Sequence, residues 1–309
     1  MAFKLPRDHF WLPKGFTLTP AVPDTPPHPE SRELFYGRII VPLAKFWMRH
    51  MQHLQVEIQH PERIPVTGGA ILAVNHTGYW DFVYGGIAPA YQGGRLVRFM
   101  AKKEIWGNPV AGPAMSGCHH IPVDRADGAA SVREATTRAA GGELIGIFPE
   151  ATISRSFEIK EFKDGAARIA QDAGVPLIPV VLWGSQRIWT KGHKPIWWLR
   201  KSALIISVGE PVSLEGTSRE ATARLHDAMV AQLDEVRARY TELYGPFPAD
   251  EYWMPASLGG SAPTLEDATA KDREDAAARK AERAAREAEK AANPQVGEKK
   301  PLWNKLLRR

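Results

Sequence analysis

The stretch ILAVNHTGYWDF, residues 71–82, ends an apolar run on Asn75 and His76 and places Asp81 five residues past the histidine. An imidazole beside a carboxylate can do acid–base chemistry. The carboxylate accepts a hydrogen bond from one ring nitrogen and fixes the tautomer, and the other nitrogen is left basic toward a substrate hydroxyl. On a continuous helix, residues five apart are separated by about 140° of arc and point to different faces. His76 and Asp81 therefore meet only if the histidine lies in a loop and the aspartate in the first turn of the next helix. Gly78 permits that tight path, and Asn75 can brace the loop through its amide. A surface histidine beside a helix-capping aspartate is the competing reading of the same residues.

Three further strand-like runs also end on polar groups. Lys102 and Lys103 follow 96–101, Asp124 and Arg125 close 120–124, and Glu150 follows 144–148. Taken singly, each is a surface charge. In an open α/β sheet, ligands bind outside the carboxyl ends of the strands, so four successive strand ends carrying titratable groups describe a site. Lys102, Lys103 and Arg125 suit a phosphate or pyrophosphate. Thr152, Ser154, Arg155 and Ser156 add hydroxyl and guanidinium donors. Cys118, His119 and His120 are consecutive, so on a strand they point to alternating faces. No C-x-x-C or H-x-x-x-H accompanies them, and no metal site is expected.

The elements that must position these groups alternate. Apolar runs at 70–74, 96–101, 120–124, 144–148, 176–183 and 203–208 read as strands, and helical patterns fall at 80–87, 129–140, 165–173 and 218–244. This predicts an α/β fold with a mixed, largely parallel central sheet and helices on both faces. The prolines of VPLIPV count against a regular central strand at 176–183. Residues 1–60 read as a Pro-rich arm followed by an N-terminal amphipathic helix, 34–51, with aromatic and aliphatic groups among basic residues. That helix lies at a membrane interface or packs on the core. Residues 61–250 form the sheet domain, and 251–309 a linker and an Ala/Lys/Glu/Arg-rich tail, a solvated helix or disordered. Thr264 and Asp267 are spaced as its helix cap. The last residues put Leu302, Trp303, Leu306 and Leu307 among basic groups, a free terminus or a membrane contact.

The chain has 309 residues, a net charge of +5 and one cysteine. A moderately basic protein suits anionic partners; a lone Cys118 excludes an intramolecular disulfide and fits a reducing compartment. No run approaches the roughly 20 apolar residues of a membrane span, and no apolar signal segment precedes residue 30. Aromatic residues are not interleaved with Lys and Arg as in a nucleic-acid module, and no nucleic-acid partner is expected.

Taken together, these segments resemble the lysophospholipid acyltransferase family. The family's N-H-x-x-x-x-D block is matched by Asn75, His76 and Asp81. Its second region is matched by Ala101, Lys102, Glu104 and Ile105, then Gly117, Ile121, Val123, Asp124 and Arg125. Its F-P-E-G-T-R-S block is matched by Phe148, Pro149, Glu150, Thr152, Arg155 and Ser156, and its fourth by VPLIPV, 175–180. The third block departs from the pattern: Ala151 stands where the family has glycine, and two extra residues precede the arginine, a form found in actinobacterial members. The resemblance implies direct acyl transfer from acyl-CoA or acyl-carrier protein to a lysophospholipid, 1-acyl-sn-glycerol 3-phosphate first among acceptors, to give phosphatidic acid. It implies His76 as general base oriented by Asp81, and Asn75, Lys102, Arg125, Glu150, Thr152 and Arg155 at the substrate. No cofactor is implied beyond the acyl donor as co-substrate. A cytoplasmic protein held peripherally at the inner face of the cell membrane is expected. The alternatives are another acceptor, such as a lysophospholipid with a headgroup or a glycolipid, and a non-catalytic lipid-binding protein.

Overall fold

A computed structural model describes residues 15–21, 25–124, 128–196 and 202–292. The strands, in chain order, are β1 Phe16–Thr19, β2 Gln55–Gln59, β3 Ala70–Val74, β4 Val97–Lys102, β5 Ile121–Val123, β6 Leu144–Ile147, β7 Leu177–Trp183 and β8 Ala203–Val208. They form one sheet in the order β1-β2-β8-β7-β3-β6-β4-β5. All neighbouring pairs run parallel except β7 with β8, so β3 and its neighbours share one direction and one carboxyl edge.

β3 is the centre. Its AILAV sequence is buried throughout, and alternate residues feed two cores because strand side chains alternate faces. Ile71 and Ala73 pack with residues of α5 (Gly128–Ala140), α6 (Gly165–Ala173) and α7 (Ser218–Tyr244), among them Ala139, Ala167 and Leu225. Ala70, Leu72 and Val74 pack on the other face with Met48 of α1 (Val41–His50), Tyr84 of α2 (Asp81–Tyr84) and Ile87 of α3 (Ile87–Ala90). Each fully buried Leu, Ile or Val contributes about 1.5–3 kcal/mol. Helices thus lie on both faces of a mixed, largely parallel sheet, as expected from the alternating pattern. α4 (Ala111–Gly117) fills the connection from β4 to β5.

Three details differ from the sequence reading. The segment 176–183 is a regular central strand despite its prolines. Pro179 has its backbone directed toward β8, where the ladder begins only at Val180 opposite Val208, and its carbonyl accepts from Gly209 N at 2.8 Å. Its missing N–H therefore falls where no ladder partner is required. The helix expected at 80–87 is two short helices, α2 and α3, separated by Gly85 and Gly86. β1 and β2, both within the first sixty residues, join the sheet edge.

The second compact unit begins at Pro263 and holds α8, Leu265–Ala292. Its start is capped as the spacing predicts: Thr264 Oγ1 accepts from Asp267 N at 3.1 Å and donates to Asp267 Oδ2 at 2.7 Å. Leu302, Trp303, Leu306 and Leu307 lie outside the described residues.

Beyond the end of β3, Asn75 continues the ladder with its side chain. Its Oδ1 accepts from Leu182 N at 2.7 Å and its Nδ2 donates to Leu182 O at 3.0 Å, both buried. Asn75→Ala leaves a buried donor and a buried acceptor of β7 unsatisfied. Chemical denaturation is expected to show a loss of about 2–4 kcal/mol.

Candidate active site

At the carboxyl end of β3 the chain turns through His76–Gly78 and enters α2 at Asp81. Asp81 is fully buried, and its Oδ2 collects three hydrogen bonds: from His76 Nδ1 at 3.0 Å and from the N–H groups of Thr77 and Gly78, each at 2.7 Å. The histidine does lie in the loop and the aspartate in the next helix's first turn. Oδ2 is acceptor-only, so Nδ1 carries the ring proton and Nε2 is left with its lone pair. The histidine side chain keeps 19% of its surface exposed. Its ring stacks on Phe148 at a centroid distance of 4.1 Å, and Phe148 stacks on Phe99 at 5.4 Å.

The backbone of the loop is held from both sides. Glu150 Oε1 accepts from His76 N at 2.8 Å, and Ser154 N donates to His76 O at 2.7 Å. From the segment after β7, Thr190 Oγ1 donates to Thr77 O at 2.6 Å and Trp189 O accepts from Tyr79 N at 3.0 Å. Thr77 Oγ1 and Ser185 Oγ lie 3.0 Å apart. Gly78 is required by this approach rather than by an unusual φ. A Cβ there would meet Trp189 O at 3.0 Å and Ser185 O at 3.1 Å.

The expected site residues divide into two groups. Asn75 and Glu150 are buried with their polar atoms turned to backbone, Asn75 to Leu182 and Glu150 to His76 N and, at 3.3 Å, Lys160 N. They position the loop and do not reach into the cleft as a substrate contact would. Burial pushes the Glu150 carboxyl up to about 8, against the opposing pull of the two N–H groups and Lys160. Lys102 is exposed, and Thr152 and Arg155 are half-buried. β4 lies two strands from β3, about 10 Å across the sheet. Lys103 Nζ pairs with Asp124 Oδ2 at 3.1 Å. Arg125 lies outside the described residues.

The His/Cys run is structural. His120 is buried, its Nδ1 accepts from Phe99 N at 3.0 Å, and burial beside Arg98 lowers it to about 3. Burial raises the Cys118 thiol to about 12. Among the described residues no group of His, Cys, Asp or Glu could hold a metal. Sequence reasoning missed Phe148 as the ring under His76, and Trp189, Thr190 and Lys191 beside it. Their one signal was position: Phe148 directly follows β6, and Trp189–Lys191 lie in the connection that leaves β7.

An Acyltransferase family model matches residues 55–183, which include β3, the histidine loop and the Glu150 loop. The fold is that of an α/β acyltransferase. A 1-acyl-sn-glycerol-3-phosphate acyltransferase of Bacillus subtilis is 30% identical over 197 residues, 61% of this chain and 91% of that protein. A chloroplastic enzyme of the same name from Brassica napus is 29% identical over 160 residues, 50% of this chain and 45% of that one. The crystal structure of PlsC from Thermotoga maritima, a 1-acyl-sn-glycerophosphate acyltransferase, superposes with a TM-score of 0.52 at 24% identity. That match covers 67% of this chain and 84% of the other. The chain belongs to the acyltransferase family that contains these lysophospholipid-modifying enzymes.

Ala151, in the position where the family pattern has glycine, adopts φ +59°. That left-handed backbone costs an L-residue with a Cβ roughly 1–2 kcal/mol and glycine almost nothing. Ala151→Gly is expected to raise the unfolding free energy by about 1 kcal/mol, after allowance for glycine's more flexible unfolded chain. A denaturant titration against wild type measures it.

Proposed function

We propose that the protein transfers a fatty acyl group from acyl-CoA or acyl-carrier protein to the hydroxyl of 1-acyl-sn-glycerol 3-phosphate, giving phosphatidic acid. The observation that carries this reading is the 3.0 Å contact between His76 Nδ1 and a buried Asp81 carboxylate, on a ring that still reaches solvent. Nε2 takes the proton of the acceptor hydroxyl as its oxygen attacks the thioester carbonyl. The new ester C–O bond forms, the C–S bond breaks, and the proton passes from the imidazolium to the departing thiolate. No covalent acyl-enzyme is involved. Lys102, Arg125, Thr152 and Arg155 serve the phosphate of the acceptor, while Asn75 and Glu150 serve it through the loop they hold.

The names of the relatives favour this acceptor over a glycolipid or a lysophospholipid with a headgroup. A histidine ordered for proton transfer favours an enzyme over a lipid-binding protein. We assign catalysis to residues 61–250, with 1–60 as a membrane-contacting arm and 251–309 as an appended tail.

Among the described residues no helix is long and apolar enough to cross a membrane. Contact with the inner face of the cell membrane is assigned to the N-terminal helix. Phe35, Ile39, Leu43 and Phe46 are exposed at the 3–4-residue spacing of one helix face, with Leu34 exposed beside Phe35, and Leu43 58% and Phe46 55% accessible. Arg38 and Arg49 accompany them. The opposite side packs inward through Tyr36 and Met48, and Trp47 meets Trp80 of the histidine loop at 5.0 Å. The Trp47–Trp80 contact supports a stripe close to the site, where an acceptor rising from a bilayer would arrive.

Two outcomes test these assignments. General base catalysis typically contributes 10²–10⁴-fold. His76→Ala is expected to lower kcat for transfer of a labelled acyl group to lysophosphatidic acid by at least about 100-fold, with an unchanged circular dichroism melt. Near-normal turnover would end the assignment. Leu43→Asp with Phe46→Asp is expected to cut co-sedimentation with phosphatidylglycerol vesicles by about tenfold or more. Activity on detergent-dispersed substrate should be retained.

A further inference from the structure

The segment 184–196, between β7 and β8, lies beyond the residues the family model matches. It is nevertheless fastened to the histidine loop through Trp189 O and Thr190 Oγ1. Those clamps fix the backbone immediately before Lys191, a half-buried residue whose Nζ lies 3.5 Å from Thr152 Oγ1. The chain then turns at Gly192, with φ +87°, and a Cβ at that position would stand 3.9 Å from Arg155 Nη1. Two loops, one holding the His76 backbone and the other holding Thr77 and Tyr79 just after it, thus bring an ammonium, a guanidinium and a hydroxyl together. Thr152 and Arg155 come from the loop that carries Glu150, and Lys191 from the loop that carries Thr190.

We propose that Lys191, with Arg155 and Thr152, binds the phosphate of the acceptor and selects a phosphomonoester over a phosphodiester. This rests on the acyl-transfer reading above and deepens it. A phosphomonoester carries about −1.5 to −2 charge near pH 7, with three terminal oxygens. It can engage an ammonium, a planar guanidinium and a hydroxyl at once. A phosphodiester headgroup carries a single negative charge and has only two unesterified oxygens. Lys191 therefore determines specificity and takes no part in the bond-making step. The clamp through residues 189 and 190 keeps this site in fixed relation to His76, so a phosphate held there sets the distance of the acceptor hydroxyl from Nε2.

The test uses the full-length chain, with lysophosphatidic acid and lysophosphatidylglycerol as acceptors and one labelled acyl-CoA as donor. Lys191→Ala is expected to raise KM for lysophosphatidic acid at least about tenfold, the scale of one charge-assisted hydrogen bond. KM for lysophosphatidylglycerol and for acyl-CoA, and kcat, should change less than about threefold on the same scale, with Lys191→Arg recovering most of the loss. Equal effects on both acceptors, or a rise confined to acyl-CoA, would overturn the proposal. An independent arm titrates sn-glycerol 3-phosphate against wild type and Lys191→Ala by ³¹P line broadening. Broadening that is lost in the variant supports the site; no broadening with wild type, or equal broadening with both, counts against it. If wild type acylates neither lysolipid, the acyl-transfer reading fails and the titration still decides Lys191.

Discussion

The N–H of His76 donates to Glu150 Oε1 at 2.8 Å, and its carbonyl accepts from Ser154 N at 2.7 Å, so the imidazole hangs from a residue gripped by one loop at both its polar backbone groups. The rest of the site follows from that grip. With the backbone fixed, the ring can turn only about its side-chain bonds. Phe148 beneath it and Asp81 beside it leave one orientation that satisfies both stacking and the Nδ1 hydrogen bond. The constraint is costly in itself, because Glu150 and Asp81 are carboxyl groups taken out of water. The fold offsets this with directed donors: two backbone N–H groups on Glu150, and two with an imidazole on Asp81. This is preorganisation in the ordinary physical sense. The donors and acceptors are in place before a substrate arrives and would need little rearrangement in the proposed proton transfer to the ring.

A parallel sheet makes such an assembly economical. β7, β3, β6 and β4 are consecutive neighbours running in one direction. The loops leaving their carboxyl ends therefore open onto the same edge without long connections. The histidine follows β3, Glu150 and Arg155 follow β6, Lys102 ends β4 and Lys191 follows β7. Strand spacing alone brings four remote segments within about 5–15 Å of one another. The reversal at β8 ends this run of shared direction, and Asn75 stitches β3 to β7 just where the main-chain ladder runs out.

The parts of this design that could be read from the sequence were local or periodic. His76 and Asp81 sit in one loop-to-helix turn, so their types and spacing nearly suffice, and apolar runs of five to eight residues mark the central strands. Glu150 was visible as a strand-end carboxylate, but its partner is the backbone of His76, 74 residues earlier, and no side-chain pattern encodes that. β1 and β2, FTLT and QVEIQ, are short and mixed in polarity, so the sheet claims them through edge pairing rather than through hydrophobic pattern. Pro179 misleads because its cost depends on which neighbour its nitrogen faces, a fact of topology. Lys191 lies in a polar stretch, and the two contacts that fix it, through Trp189 and Thr190, are tertiary and have no local pattern.

The central claim is that Asp81 holds the proton of His76 on Nδ1 and leaves Nε2 as the basic atom. Nitrogen-15 correlation spectra of the His76 imidazole, recorded on the resting protein with the ring neutral, read this tautomer directly. The account predicts a protonated Nδ1 and an unprotonated Nε2, with the preference collapsing in Asp81→Asn. A neutral ring protonated on Nε2 in the wild-type protein would contradict it.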